Sequence, residues 1–520
     1  MLAQGREPMI LMGHGGSNPP PGATAELRKS LSRKRQTYTA DGSALVERIS
    51  SGVQGLDAVI EGGFLRGNLI LLTGGPGTGK TVLSTQFLVE GAKSGENGVY
   101  VSFGENREVL LENLSRHIGV DISRLESTGR LKILDLVTLK EPGISITLET
   151  ILRELEAVKA KRLVIDSFTA MAEAFKEPID VRVIVHTVLS RLVRETGCTT
   201  FMVEEESLLG SKVSAGTEEF TADGIIFLKT EEIDGRLLRS LELVKLRGTR
   251  LTERKLAFTL EGGFRAFPPF KPKPTAKTHR FQPIQDPPNM YSTGVRDLDR
   301  MLGGGLPKGV TVLLEAAEKV STYEYYLVVL PLMLNFGGHG RGILLIPGPG
   351  VDAELARKMA LDFGATEEEI NRLLRVYEQL SPRRDQRKPY ITVYEGKDAQ
   401  KDYAEYLKLE EKLVQDIDQP VMSAISGDTL ISNYGENACE GILSQEAIRI
   451  RERKSLGIIT MKGGREEPAR RLGATADIYL KLAREHGTLL LYGVKPRAPL
   501  FAVELDISKG YPMPQLTPIV

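Results

Sequence analysis

The feature that constrains this chain most is a segment that occurs twice, 242 residues apart. "SGVQGLD" at 51–57 matches "TGVRDLD" at 293–299, and the same offset carries "LILL" onto "TVLL" without a gap. A match of this kind at one fixed offset indicates an internal duplication, and its period is far too long for a solenoid repeat. The chain of 520 residues therefore has two tandem domains of one fold.

The first copy leads into a segment, 46–267, in which short apolar runs alternate with amphipathic ones. The predicted strands are "NLILLTG", "NGVYVSFG", "RLKILDL", "KRLVIDS", "TTFMVEE" and "DGIIFLK". The predicted helices are "TVLSTQFLVEGAKSG", "NREVLLENLSRHIG", "ISITLETILRELEAVKA" and "DVRVIVHTVLSRLVRETG". This alternation predicts an α/β fold with a mostly parallel sheet flanked by helices.

Two segments of biased composition set the domain boundaries. Residues 1–45 hold the Gly/Pro-rich "GHGGSNPPPGA" and the basic "LRKSLSRKRQ", which predict a disordered arm. The alternative is an arm that contacts nucleic acid or a partner. Residues 268–289 are proline-rich and predict a linker, because proline fits neither helix nor sheet interiors. A second domain is expected over 290–520.

Composition argues against several classes of protein. Lys plus Arg and Asp plus Glu both number 68, so no net charge favours nucleic acid or an anionic membrane. Cys198 and Cys439 stand alone without a CxxC or Cys/His cluster, which argues against disulfides or zinc and fits a reducing compartment. Without a signal peptide or a membrane-length apolar run, a cytoplasmic location is expected.

The strongest chemical motif is "GGPGTGKT" at 74–81, which fits the phosphate-loop pattern between a predicted strand and a predicted helix. Backbone N–H groups of such a loop converge on a phosphate, helped by the positive end of the helix. Lys80 is expected to bind the β- and γ-phosphates of ATP, and Thr81 to bind Mg²⁺. The predicted nucleotide-binding residues here are Gly75, Pro76, Gly77, Thr78, Gly79, Lys80, Thr81 and Val82.

Two acidic residues follow other predicted strands. Asp166 ends "RLVIDS", the place where phosphate-loop enzymes keep the acid that holds Mg²⁺. Glu105 follows "VYVSF" at the carboxyl edge of the sheet, so it is predicted to be the general base that orients water. The alternative for Glu105 is a carboxylate that stabilises the start of the next helix. In "LELVKLRGT", Lys245 and Arg247 share one face of a strand end, a pattern that is ordinarily solvated.

Four of these features, in this order, resemble RecA-like ATPases of the KaiC type: "SSGVQGLDAVIEGGFLRG", "GGPGTGKT", "YVSFGEN" and "KLRGT". The resemblance implies a hexameric ring with ATP between subunits, in which Lys245 and Arg247 reach the γ-phosphate held by the next subunit. It also implies that Leu246 and Thr249 line the nucleotide, and that Arg116 lies near adenine.

Some residues depart from that family. Where the family shows two adjacent glutamates, this chain has Gly104 and Glu105, which implies slow hydrolysis. The family's histidine after K-L-R-G-T is Leu251 here, so one contact near the nucleotide is lost.

The second copy of the lead-in ends in "EAAEKVST", which has no phosphate loop. Under the 242-residue offset, Lys80 falls on Thr322 and Thr81 on Tyr323, and every loop glycine is lost. Glu315 and Glu318 would place negative charge beside a polyanion. The second domain is therefore predicted to be a pseudo-ATPase.

Other parts of the second site are eroded too. Pro349 lies near the place of the general base, and "PVMSAISG" ends without a convincing acid. "VKPRAP" keeps the spacing of the finger in Lys495 and Arg497, as a structural remnant or an interface contact. Gly473 and Ala474 fall where the clock proteins autophosphorylate a Ser-Thr pair, so autokinase activity is not expected.

Taken together, the residues and the resemblance predict a two-domain RecA-like ATPase that uses ATP and Mg²⁺, hydrolyses ATP slowly and assembles with itself, most simply as a hexamer. The second domain would be a scaffold or output module, and an unidentified protein would be the partner. Two alternatives remain open: an ATPase dependent on single-stranded DNA, as in recombinases, and a nucleotide-switched adaptor with negligible turnover. The balanced charge argues against the first.

Overall fold

The computed structural model describes residues 47–104, 107–136, 144–173, 193, 196–205, 222–273, 279–379 and 388–520. The elements discussed below all lie in Arg48–Val520, which form one unit. Within the described ranges, no helix is long and apolar enough to cross a membrane.

The first half builds a nine-stranded sheet from the described residues, in the order β11-β10-β9-β8-β3-β7-β6-β4-β5. Strands β3 to β8 pair in parallel and β8 to β11 pair antiparallel, so the parallel part carries an antiparallel extension. Its strands are β3 (Leu69–Gly74), β4 (Gly98–Ser102), β5 (Leu131–Asp135), β6 (Arg162–Asp166), β7 (Thr199–Glu205), β8 (Gly224–Ile233), β9 (Arg236–Leu246), β10 (Lys255–Thr259) and β11 (Arg265–Phe267). A separate two-stranded sheet pairs β1 (Arg48–Ile49) with β2 (Phe64–Leu65).

Six helices are described in this half of the chain, and those over 80–93, 107–118 and 144–158 lie where the sequence pattern predicts them. The six helices are α1 (Gln54–Asp57), α2 (Lys80–Lys93), α3 (Arg107–Ile118), α4 (Ile122–Ser127), α5 (Ile144–Val158) and α6 (Phe168–Glu173). The predicted helix over 180–197 lies mostly outside the described residues.

The second half builds a ten-stranded sheet, in the order β17-β16-β15-β18-β19-β14-β20-β21-β22-β23. Its strands are β14 (Val310–Ala316), β15 (Gly342–Ile346), β16 (Leu374–Gln379), β17 (Ile391–Tyr394), β18 (Val421–Ser426), β19 (Leu456–Lys462), β20 (Ile478–Glu485), β21 (Thr488–Lys495), β22 (Phe501–Asp506) and β23 (Met513–Pro518). A two-stranded sheet again precedes it, pairing β12 (Met290–Tyr291) with β13 (Leu306–Pro307).

Eight helices are described in this half of the chain. They are α7 (Arg296–Met301), α8 (Thr322–Gly338), α9 (Ala353–Asp362), α10 (Glu367–Leu373), α11 (Ala399–Ile417), α12 (Gly427–Tyr434), α13 (Glu436–Arg453) and α14 (Glu466–Thr475).

The two sheets have the same strand order once β17 is set aside. Reading outward from the central strand, β3, β7, β6, β4 and β5 correspond to β14, β19, β18, β15 and β16, while β8 to β11 correspond to β20 to β23. Both large sheets are mostly parallel in their central part and flanked by helices, as in tandem RecA-like domains. The predicted fold class is therefore confirmed.

The duplicated segment has the same structural role in both halves. In the first, Ser50 Oγ donates to one carboxylate oxygen of Asp57 at 2.7 Å and the Ser51 N–H donates to the other at 2.9 Å. In the second, Ser292 and Thr293 make the equivalent bonds to Asp299 at 2.6 and 2.7 Å. The motif is retained because its Asp closes the turn before a short helix, whether or not a phosphate loop follows.

The antiparallel extensions of the two sheets pack face to face. Their shared apolar cluster contains Leu238, Ala257, Phe267, Ala483, Leu490, Tyr492, Leu500, Ala502 and Ile519. Beside it the turn between β8 and β9 docks on the second domain. There Arg236 donates to the carbonyl oxygens of Ala498 at 2.7 Å and Gly493 at 2.6 Å, and the Tyr492 hydroxyl donates to Asp234 at 2.6 Å.

Part of the proline-rich linker is anchored to the second domain. The Phe281 N–H donates to the Phe363 carbonyl at 2.8 Å, and Ile284 exchanges hydrogen bonds with the side-chain amide of Asn335. Residues 279–284 are neither helix nor strand. We call residues 279–284 the strap, because they lie across one side of the second domain.

Candidate functional site

The phosphate loop connects the end of β3 to the start of α2. Gly77 and Gly79 have φ values of 71° and 98°, which side chains rarely adopt. A Cβ at Gly74 would lie 2.4 Å from the Leu228 carbonyl oxygen. Glycine is therefore required by both the backbone conformation and the space around the loop.

Lys80 lies inside this loop. Its ammonium group donates to the carbonyl oxygens of Gly74 at 2.8 Å and Gly75 at 2.9 Å, and the side chain is buried. The Thr78 hydroxyl also donates to the Gly75 carbonyl, at 2.8 Å. Val82, in the first turn of α2, packs in the core. The loop therefore holds a buried cation at a helix N-terminus, an arrangement that attracts phosphate.

Thr81 and Asp166 meet at the same edge of the sheet. The Thr81 hydroxyl donates to a carboxylate oxygen of Asp166 at 3.0 Å, although 85 residues separate them. A hydroxyl and a carboxylate are the oxygen ligands that Mg²⁺ takes beside a nucleotide. The residues present therefore fit Mg²⁺ together with ATP.

Tyr100 is a site residue that sequence reasoning missed. Its hydroxyl donates to the same oxygen of Asp166 at 2.5 Å, and its ring is buried in the core on the α2 side. The only sequence signal was that Tyr100 lies in β4. This strand pairs in parallel with β6, the strand that ends at Asp166, and side chains on the same face of two paired strands can meet. Tyr100 orients the carboxylate of Asp166.

The predicted general base, Glu105, lies outside the described residues. The strand before it, β4, runs beside β6, and the Phe103 N–H donates to the Asp166 carbonyl at 2.9 Å. A second carboxylate that the sequence reading did not select, Glu205, ends β7 in register with Gly74 of the loop.

Lys245 and Arg247 lie at the opposite edge of the sheet from the phosphate loop of their own chain. Arg247 forms an ion pair with Asp223 at 3.4 Å, and Asp223 also accepts from the N–H of Leu69, the first residue of β3. The loop begins at the other end of β3, so at 3.3 Å per residue the two edges are roughly 17 Å apart. Burial and the neighbouring Arg247 lower the pKa of Lys245.

The other residues implied by the resemblance lie in two places. Leu246 is buried at the end of β9, and the Thr249 hydroxyl accepts from Arg48 at 3.0 Å. Both share the edge that carries Arg247. Arg116 lies in α3, exposed, in an ion pair with Glu112 one turn earlier.

Arg239 connects the phosphate loop to the second domain, and sequence reasoning missed it as well. One guanidinium nitrogen donates to the Gly77 carbonyl at 3.0 Å, and another donates to the Val520 carbonyl at 2.6 Å. Burial lowers the pKa of Arg239. A charged residue in the middle of a β-strand gave no signal of this contact, because its two partners are distant in sequence.

The corresponding edge of the second domain differs at each chemical position. Helix α8 begins at Thr322, the residue that replaces Lys80, and the strand register places Ser426 where the first domain has Asp166. The helix start is closed by a capping box, in which Ser321 and Glu324 each accept from the other's backbone N–H. Glu324 thus occupies the helix N-terminus that a phosphate would need.

Other side chains of the second site make contacts of their own. Lys462 Nζ donates to the Thr322 hydroxyl at 2.6 Å. Glu315 is buried, where it accepts from the Tyr479 hydroxyl. Arg497, the remnant of the finger, donates to the Gly235 carbonyl in the turn between β8 and β9, and Lys495 donates to the Ala476 carbonyl at 2.7 Å. This arginine is therefore an interdomain contact.

Comparison with known proteins gives each half its own match. Residues 49–264 match the ATPase family model described as KaiC, and residues 280–520 match the model described as GvpD basic region 2. A UPF0273 protein of Pyrococcus horikoshii is 34% identical over 230 residues, 42% of this chain and 92% of that protein. A UPF0273 protein of Thermotoga maritima is 33% identical over 230 residues, 42% of this chain and 93% of that protein.

Two further relatives carry the KaiC name. The circadian clock oscillator protein KaiC of Thermostichus vulcanus is 29% identical over 358 residues, 67% of this chain and 66% of that protein. The solved structure of a KaiC-like protein from Pyrococcus horikoshii is 36% identical and covers 43% of this chain and 100% of its own, with a TM-score of 0.39.

Proposed function

Because this chain belongs to the KaiC-like ATPase family, we propose that its first domain binds ATP with Mg²⁺ and hydrolyses it slowly at an interface between copies of the chain. The observation that carries the proposal is the convergence of Lys80, Thr81 and Asp166 at one edge of the first sheet. Residues from helix α2 and strand β6 meet there beside a loop that requires glycine.

Each of these residues has a role in the proposed reaction. Lys80 binds the β- and γ-phosphates and exchanges its loop carbonyls for phosphate oxygens. Thr81 and Asp166 hold Mg²⁺, which neutralises charge on the phosphates when bound. Tyr100 keeps the Asp166 carboxylate in place. Glu105 orients the attacking water and accepts its proton.

Assembly follows from the position of Lys245 and Arg247. At the far edge of the sheet they cannot reach the γ-phosphate held by their own loop, yet two cations would stabilise charge that develops during transfer. In a head-to-tail ring, that edge of one subunit faces the phosphate loop of the next. We therefore propose a homo-oligomeric ring, a hexamer in its simplest form, in which these residues act in trans.

The second domain is proposed to be a scaffold or output module without ATPase activity. Glu324 at the start of α8 and Ser426 in place of Asp166 support this role. Its contact with the first site runs through Arg239, which binds both the Gly77 carbonyl and the Val520 carbonyl. A movement of the phosphate loop on ATP binding would therefore change the Arg239 contact with the second domain.

Mixing two inactive variants tests the ring and the trans-acting finger. Lys80→Ala and Arg247→Ala should each lose steady-state hydrolysis, whereas co-assembled mixtures should regain roughly one quarter of wild-type activity. That fraction follows because an active interface needs an intact loop from one subunit and an intact finger from its neighbour. Arg250→Ala, an exposed arginine next to the finger, is the matched control and should retain activity.

The same assay separates the remaining possibilities. Full activity of Arg247→Ala, or a mixture no better than its components, would rule out the trans arrangement. If single-stranded DNA at low salt stimulated ATP hydrolysis several-fold, the protein would instead be a DNA-dependent ATPase. Glu105→Gln should abolish turnover and preserve ATP binding. Unchanged turnover in this variant would remove Glu105 as the base.

A further inference from the structure

The second domain contains an apolar cavity of about 190 Å³ on the α8 side of its sheet. Helices α8, α9 and α10 and strands β15, β18 and β19 surround it, and the strap over 279–284 covers one side. Its lining includes the side chains of Tyr326, Val329, Leu345, Ala424 and Ile458.

Comparison with the first domain explains why this space exists. In the first sheet, one row of side chains facing α2 runs across four neighbouring strands: Tyr100, Val164, Phe201 and Ile70. The strand register places a second row at the same positions of the second sheet: Leu345, Ala424, Ile458 and Val312. Each residue of the second row is smaller than its counterpart.

The helix that covers the row has lost one aromatic ring where it faces the sheet. In the first domain the Phe87 ring stacks on Phe201, with centroids 4.4 Å apart, and fills the space between α2 and the sheet. The corresponding residues are Val329 and Ile458, which both line the cavity. Four other positions of α8 that line the cavity are larger than their counterparts: Tyr325, Tyr326, Met333 and Leu334 replace Leu83, Ser84, Gly91 and Ala92, and they form its walls without filling it. The cavity therefore lies where the first domain has the rings of Phe87 and Phe201.

The lining sets the chemistry of a ligand. Apolar cavities of about 150 Å³ stay free of water and bind molecules such as benzene. Tyr326, on the wall, has no hydrogen-bond partner for its hydroxyl among the described residues, and its ring packs beside Tyr325 and against the apolar cluster of the second domain. At the rim, Arg280 pairs with Glu369, so the two charges there offset each other and the rim has no excess charge of one sign from this pair.

We propose that this cavity is a binding site for a compact, uncharged aromatic molecule with at most one hydrogen-bonding group, which Tyr326 would bind. The ring of the ligand takes the place of the Phe87 and Phe201 pair. The site is separate from the phosphate loop, so this proposal does not depend on ATP hydrolysis.

Calorimetric titration of the full chain with benzene and with phenol tests the proposal. Both should bind saturably at one site per chain. The double substitution Val329→Phe and Ile458→Phe, which restores the ring pair of the first domain, should lower the affinity for both probes at least tenfold. Val312→Ile enlarges the same row outside the cavity lining and should bind as the wild type does. A chain that binds neither probe, or a filled variant that binds both unchanged, would overturn the proposal.

Circular dichroism of the filled variant guards against misfolding, because a well-packed variant should match the wild-type spectrum and unfold at a higher temperature. Tyr326→Phe gives a second test that does not change the volume greatly. It should weaken phenol binding severalfold and leave benzene binding unchanged. Equal losses for both probes would remove Tyr326 as the hydrogen-bonding partner.

Discussion

At the scale of single residues, the site depends on hydrogen bonds that hold one carboxylate. Asp166 Oδ2 accepts from both Tyr100 and Thr81, at 2.5 and 3.0 Å, so its direction is fixed before any ligand binds. A hydrogen bond contributes about 0.5–1.5 kcal/mol, and more when one partner is charged. The arrangement therefore preorganises the proposed Mg²⁺ ligand.

Removing the tyrosine hydroxyl should raise the Mg²⁺ requirement. In Tyr100→Phe we expect the Mg²⁺ concentration for half-maximal ATP hydrolysis to rise roughly fivefold, the equivalent of about 1 kcal/mol. Tyr479→Phe is the matched control, because that hydroxyl also donates to a buried carboxylate, Glu315, but in the second domain. Both variants are compared by Mg²⁺ titration. Equal shifts in the half-maximal Mg²⁺ concentration would mean that the effect is a general one of losing a tyrosine hydroxyl.

The two cysteines should be inert in the folded chain. Burial raises the pKa of both Cys198 and Cys439 to about 12, so at pH 8 each is a neutral thiol, and only the thiolate is nucleophilic. Iodoacetamide followed by mass spectrometry should label neither residue at pH 8 until urea is added. Ser127→Cys, at an exposed position, is the positive control. Rapid labelling of a native cysteine would contradict the burial.

At the scale of elements, the start of a helix decides which domain can bind phosphate. Helix α2 begins after Gly79, which as glycine has no side chain to cap the helix, whereas α8 begins at a capping box that uses its own Glu324. Two helices at equivalent positions therefore present opposite chemistry to a phosphate.

Restoring the two lost loop residues should not restore the second site. In a Lys80→Ala background, Thr322→Lys combined with Tyr323→Thr should bind no fluorescent ATP analogue beyond the background variant. Glu324 would repel the phosphates, and Ser426 supplies no carboxylate for Mg²⁺. The wild-type chain should bind one analogue through its first domain. One further analogue per chain in the restored variant would show that the lysine and threonine alone had been missing.

At the scale of the whole molecule, the domains are joined by contacts that reach the phosphate loop. Arg239 holds the Gly77 carbonyl on one side and the Val520 carbonyl on the other. Arg265 also bridges the domains, to Glu504 at 2.6 Å, without touching the loop. Substituting the two arginines one at a time therefore separates the effect of domain docking from the effect of the contact that supports the phosphate loop.

Loss of Arg239 should therefore weaken ATP binding specifically. We expect Arg239→Ala to raise the KM for ATP roughly fivefold, since one hydrogen bond contributes about 1 kcal/mol, and to change kcat less than twofold. Arg265→Ala should leave both constants unchanged. Similar increases in KM for both variants would mean that domain docking in general, and not the contact with Gly77, supports the loop.

The sequence by itself determined the elements and much of the site. Alternating apolar runs predicted the strands and helices because local conformation and burial have a short period along the chain. The phosphate loop was readable because its glycines, lysine and threonine are adjacent in sequence, and the duplication at 242 residues predicted two domains of one fold. The place of Asp166 followed from its position at the end of a strand.

Only the tertiary structure decided the contacts between residues distant in sequence. Tyr100 and Asp166 are 66 residues apart, and Arg239 and Gly77 are 162 apart, so no local pattern marks either pair. The cavity likewise arises from a row that crosses four strands, where each smaller side chain is unremarkable alone. Packing brings such residues together, because side chains fill space with whatever the neighbouring strands and helices supply, whatever their separation along the chain.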